Sequence, residues 1–105
     1  MKTKKGKING IIYAACLPGI QDIAAKHCYA IAVHGSIQTD MDLIAVPWVD
    51  NADPAVNLIN SIALSLKIYG GTTPHGPEQK THGRMVWTIP MGCGLQLDVS
   101  VTNLK

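Results

Sequence analysis

Phenylalanine is absent from this sequence, arginine occurs once, and charged residues make up only 15% of the 105-residue chain. A typical soluble domain carries about a quarter. So little charge excludes an acidic or basic self-repelling disordered chain. It also leaves uncharged surface that suits burial against a partner or a second copy, and a homodimer is the expectation. Without Phe, the core must be built from Leu, Ile, Val, Met and the two tryptophans, Trp48 and Trp87. Paired cysteine motifs are lacking as well. Cys16, Cys28 and Cys93 are odd in number and scattered, which excludes a disulfide framework and a closely spaced zinc cluster and suits a reducing cytoplasm. Nor is there an apolar run long enough to span a membrane, or a secretory core and cleavage site behind the lysine-rich start. The expectation is a soluble, cytoplasmic protein.

Apolar residues make up 47% of the chain, and 105 residues suffice for one modest core. The net charge of +2 is concentrated at one end, since Lys2, Lys4, Lys5 and Lys7 are four of the nine basic residues. Residues 1–10 read as a flexible basic tail and residues 11–105 as a single domain. Such a tail is more often solvated than bound to phosphates, so nucleic acid is not the expected partner.

"LPGIQDIAAKHC" opens on Pro-Gly and places Ile20, Ile23, Ala24 and Cys28 at helical spacing. Lys26 and His27 suit its negative pole. "YAIAVHG" and "DMDLIAVPW" read as two strands joined by the short turn "SIQT", an antiparallel hairpin. "DNADPAVNLINSIALSLKIYGG" is the clearest helix. Asp53 suits the N-cap, Pro54 the first turn, Gly70-Gly71 the stop, and Val56, Leu58, Ile59, Ile62, Ala63 and Leu66 the apolar stripe. "TTPHGPEQKTHG" reads as a loop, and "RMVWTIP" and "LQLDVSV" as a second hairpin across "MGCG". In its last strand Leu95, Leu97, Val99 and Val101 alternate with Gln96, Asp98, Ser100 and Thr102. The predicted fold is α+β. Two helices pack on one face of a mixed or antiparallel sheet of about four strands, in the order α-β-β-α-β-β.

Asp40 and Asp42 stand at i and i+2 on a strand, so both carboxylates leave the same face. Held close together they repel unless a cation lies between them. Mg²⁺ fits that role, because it accepts one or two carboxylates and completes its shell with water and phosphate oxygens. Asp98 is the third candidate, on a strand expected in the same sheet. Alternatively, Asp40 is a turn residue and Asp98 one polar group on a solvent-facing strand.

"HGS", then "DMDL", then "LDV" resembles the three-part signature of the nucleotidyltransferase superfamily with the polymerase-beta-like fold. The chain from residue 11 onward is also similar to short phage and prophage proteins with the pattern "HGS…D-x-DLIA-PW…HGR…W"; a phage origin would place it in the host cytoplasm. The resemblance implies that Gly35 and Ser36 hold nucleotide phosphates. It also implies that Asp40, Asp42 and Asp98 ligate Mg²⁺, with Asp98 alternatively a general base. A nucleoside triphosphate would then be attacked at its alpha-phosphate by an acceptor the sequence does not identify. Only "IQT" separates the Gly-Ser pair from Asp-x-Asp, a shorter connection than the family's, which removes a substrate-binding stretch.

Lys80, His82 and Arg84 alternate in "KTHGRMVW", so an extended chain would present all three on one face, either toward a triphosphate or as a solvated strand edge. His34 is either a substrate contact or a structural histidine. Trp48 and Trp87 read as core or interface. Three readings stay open: a Mg²⁺-dependent nucleotidyltransferase, a catalytically silent binding or regulatory protein of the same fold, and a metal-dependent phosphodiesterase or nuclease.

Overall fold

The first helix is longer than its Pro-Gly pair suggests. In the computed structural model α1 spans Lys2–Lys26, with Pro18 inside it. Tyr13, Cys16, Ile20 and Ala24 are buried at spacings of three and four, so one apolar stripe runs through the Pro-Gly position without a break. Pro18 and Gly19 lie on the exposed side. There, water can take the hydrogen bond that a proline removes. The lead-in expected as a separate tail therefore continues the helix over residues 2–10. Lysine is a good helix former, and no breaker precedes Pro18 beyond two single glycines. The structure describes residues 2–35, 37, 39–92 and 94–102, with side chains from residue 9 onward.

Five strands follow: β1 (Tyr29–Val33), β2 (Asp40–Pro47), β3 (His75–Gln79), β4 (Met85–Gly92) and β5 (Leu95–Val101). They form one sheet in the order β1-β2-β5-β4-β3. The β1–β2 and β4–β5 pairs are the two expected antiparallel hairpins, and β3 pairs antiparallel with β4. β2 and β5 run parallel, with Asp40 opposite Gln96 and Asp42 opposite Asp98. The fold is thus α+β with two helices and a five-stranded mixed sheet, one strand more than expected. β3 lies within the segment expected as a loop; it carries Gly76 and Pro77, and every residue of it is exposed. An edge strand that buries no face shows no apolar alternation.

Along β2 the buried residues are Met41, Leu43 and Ala45, and along β5 they are Leu95, Leu97, Val99 and Val101. Both helices lie over this face. The second, α2 (Ala55–Ser65), contributes Leu58, Ile59, Ile62 and Ala63. It runs on through a 3-10 turn, Leu66–Tyr69, that stops at left-handed Gly70 with φ 93°. Pro54 takes the N-cap place with no side-chain cap, so Asp53 does not cap the helix as expected. Val56 lies half in solvent and Trp48 is 61% exposed, whereas Trp87 is buried. Trp48 falls just beyond Pro47, where the paired part of β2 ends, and so escapes the core that takes Trp87.

Candidate functional site

Strand alternation divides the chemistry between two faces. Odd-numbered residues of β2 and β5 supply the core, so even-numbered Asp40, Asp42, Gln96, Asp98 and Ser100 project from the opposite, open face. Parallel partners on adjacent strands lie about 4.8 Å apart. The pairing of Asp42 with Asp98 therefore sets two carboxyls side by side. The expected Asp40, Asp42 and Asp98 do share one face, from residues separated by more than half the chain.

The open face holds a cleft of about 420 Å³ lined by His34, Asp42, Lys80, Arg84, Thr88 and Asp98, among others. Burial pushes the Asp42 carboxyl above the usual carboxylate range. The negative charges of Asp98 and Asp40 and a hydrogen bond with Asp98 push the same way, while His34 opposes them. Such a hydrogen bond needs a proton on one of the two carboxyls. Thr88 Oγ1 donates to Asp98 Oδ1 at 3.0 Å, and Gln96 Nε2 donates to Asp40 Oδ2 at 3.3 Å. Asp40 thus stands two residues along the strands from the pair, with an amide against it. Among the described residues, no three His, Cys, Asp or Glu side chains are grouped closely enough to hold a metal ion.

Lys80 and Arg84 flank the carboxylates across the cleft, but not as an extended stripe. Residues Thr81–Gly83 form a tight 3-10 turn in which His82 takes a left-handed φ of 63°. The Lys80 N–H donates to the Arg84 carbonyl at 2.7 Å. The turn returns Arg84 beside Lys80 and leaves exposed His82 outside the cleft lining. Lys80 Nζ pairs with Glu78 Oε1 at 2.9 Å. Arg84 Nε is buried with no hydrogen-bond partner, an unusual state for a guanidinium nitrogen. Gly35, at φ 90°, lies where an added Cβ would come within 3.9 Å of Asp42 Oδ2. The Gly-Ser turn therefore reaches the carboxylates through its glycine, and Ser36 lies outside the described residues.

Thr88, Gln96 and Tyr13 were not singled out from the sequence. Thr88 and Gln96 could have been, because once Asp98 is placed on the polar side, Gln96 shares its strand face and Thr88 opposes it across the hairpin. Tyr13 left no such signal, since its role depends on where α1 crosses the sheet.

A second cluster lies away from this cleft. His27 Nδ1 is 2.7 Å from Asp53 Oδ2, and its Nε2 is 2.9 Å from Ser61 Oγ. The order of groups matches a serine-hydrolase relay. Ser61, however, sits in the middle of α2, where the surrounding N–H groups are spent within the helix, so they cannot serve a tetrahedral oxyanion. The cluster instead ties elements together. Asp53 N–H donates to the His27 carbonyl at 3.3 Å, and Tyr29 Oη donates to the Asp53 carbonyl at 2.7 Å. That engagement is why Asp53 does not cap α2.

No family model and no curated protein sequence matches the chain. The reading of the cleft rests on its own geometry. No helix among the described residues is long and apolar enough to cross a membrane.

Proposed function

We propose that the protein is a minimal nucleotidyltransferase-like protein whose open-face cleft binds a nucleoside triphosphate with Mg²⁺. The observation that carries this reading is the placement of Asp42 opposite Asp98 on parallel neighbouring strands, with Lys80 and Arg84 lining the same cleft. Two like charges set side by side lose free energy unless something between them is positive. Burial first, and then the charges of Asp98 and Asp40, hold the Asp42 carboxyl above the usual carboxylate range, in the direction that a bound cation would reverse. Mg²⁺ accepts such a pair and leaves positions for phosphate oxygens. Asp42 and Asp98 would hold the ion, and Asp40 would join them if Gln96 released it. The bound ion would supply neutralisation of charge developing at the alpha-phosphate. Arg84, with its unpartnered buried Nε, and Lys80 would hold phosphate oxygens. Asp98, which accepts a hydrogen bond from Thr88, would alternatively take a proton from the acceptor hydroxyl instead of ligating the ion.

A second reading is a silent relative that binds but does not react. It is favoured by Asp40 being held apart by Gln96 and by the short connection before it. Calorimetric titration of Mg²⁺ or Mn²⁺ with and without ATP separates the two readings when combined with an assay for pyrophosphate release. Binding with release supports the enzyme, and binding without release supports the silent protein. If neither metal nor nucleotide binds, and Asp42→Asn leaves that result unchanged, both readings of the cleft fail.

A further inference from the structure

We propose that Tyr13 is a positioning residue for the carboxylate cleft, its buried hydroxyl setting the register of β2 against β5. The inference rests on the reading of the cleft given above. Tyr13 is fully buried on α1, behind the sheet. Its hydroxyl donates to the Thr39 carbonyl at 2.5 Å and accepts from the Gln96 N–H at 3.1 Å. Thr39 immediately precedes Asp40, and Gln96 is the residue opposite Asp40 in the β2–β5 ladder. The side chain of Gln96 then reaches Asp40 Oδ2. One hydroxyl is therefore bonded to both strands at the end where the carboxylates begin.

The need for such a clamp follows from topology. β1 with β2, β3 with β4 and β4 with β5 are each antiparallel neighbours joined by a short connection, and a hairpin turn fixes register. Among the described residues β2 and β5 are the one parallel pair, separated in sequence by α2, β3 and β4. No turn holds them. A slip of one residue there would send a carboxylate to the helix face and a core residue to the open face. Apolar alternation opposes a one-residue slip but permits a two-residue slip, which keeps every residue on its own face. Such a slip would set Asp42 opposite Gln96 or Ser100 instead of Asp98. Tyr13 supplies a directional constraint where burial supplies only a facial one. Burial raises the phenol's pKa, so the hydroxyl keeps the proton it donates to Thr39.

Tyr13→Phe keeps the ring and deletes the hydroxyl, and is compared with Ile20→Val, a core change on the same helix that leaves both strand contacts intact. Mn²⁺–ATP affinity is measured by calorimetry, and backbone amide exchange by NMR. The expected result is binding weakened by about tenfold or more in Tyr13→Phe, with Ile20→Val close to wild type. Exchange should rise at Gln96, Leu97 and Asp98 beyond the rise at the β4 core amides of Trp87 and Ile89. Wild-type binding retained within about twofold in folded Tyr13→Phe would overturn the proposal. If the wild-type protein itself binds no Mn²⁺–ATP, the reading of the cleft fails, and exchange alone decides the clamp. A selective rise at residues 96–98 upholds it, and a uniform rise across the sheet refutes it.

Discussion

Asp42 carries opposite consequences with and without a ligand. Its carboxyl is held above the ordinary range by burial first and by Asp98 and Asp40 next. An unfolded aspartate titrates near 3.9, at roughly the model-peptide value. Between that pH and the raised folded value, the folded state binds more protons than the unfolded state. Stability from this group therefore falls as pH rises through the window, and the cost is complete above it. Asp42→Asn should raise the melting temperature of metal-free protein at neutral pH, by about 0.5–1 kcal/mol or a few degrees. The gain should shrink as the pH falls through the raised folded value toward roughly 3.9, below which the native carboxyl is already neutral. Thermal unfolding followed by circular dichroism across pH checks both. The same substitution should abolish any stabilisation by Mn²⁺. That Asp40, Asp42 and Asp98 share a face could be read from the sequence, because strand alternation is a local rule. That Gln96 stands against Asp40 while Asp98 faces Asp42 could not, because parallel register is fixed by contacts far apart in the chain.

At the scale of elements, the hairpins and α2 were readable because each announces itself within a short window: alternation, a tight connection, a glycine stop. Where the reading failed, a local signal was outweighed or missing. Pro18-Gly19 looks like a helix start, yet Tyr13, Cys16, Ile20 and Ala24 bury one stripe across it, and that burial decides where α1 runs. Pro54 and Asp53 look like a capped start, yet the Asp53 carboxylate is engaged by His27. Lys80, His82 and Arg84 look like one strand face until the left-handed His82 folds them into a turn. Each case sets intrinsic preference against tertiary contact. If α1 is continuous through Pro18, replacing that exposed proline with alanine restores a donor and removes a ring clash. Pro18→Ala should then stabilise the protein by about 1–3 kcal/mol, seen as a higher denaturant midpoint with unchanged slope. A helix that truly began at Leu17 would lose stability or stay neutral, since proline is favoured at a first turn.

Over the described residues the molecule is a five-stranded sheet with one face covered by helices and the other open. The two faces are built from alternate residues of the same strands, which separates what holds the fold from what the cleft does. β5 shows this most sharply, with Leu97 fully buried between its neighbours Gln96 and Asp98 on the open side. Leu97→Ala leaves a cavity beneath both helices and should cost about 2–5 kcal/mol. Ser100→Ala, three residues along on the open face, should change stability by no more than about 0.5 kcal/mol. Urea unfolding of the two variants measures the contrast. Equal losses would mean that the open face is packed against something in solution, as in a homodimer joined through this sheet, and sedimentation would then show a dimer. A large loss confined to Leu97→Ala would instead mean that the open face carries no packing that Ser100 shares, and sedimentation would then show no dimer joined through it.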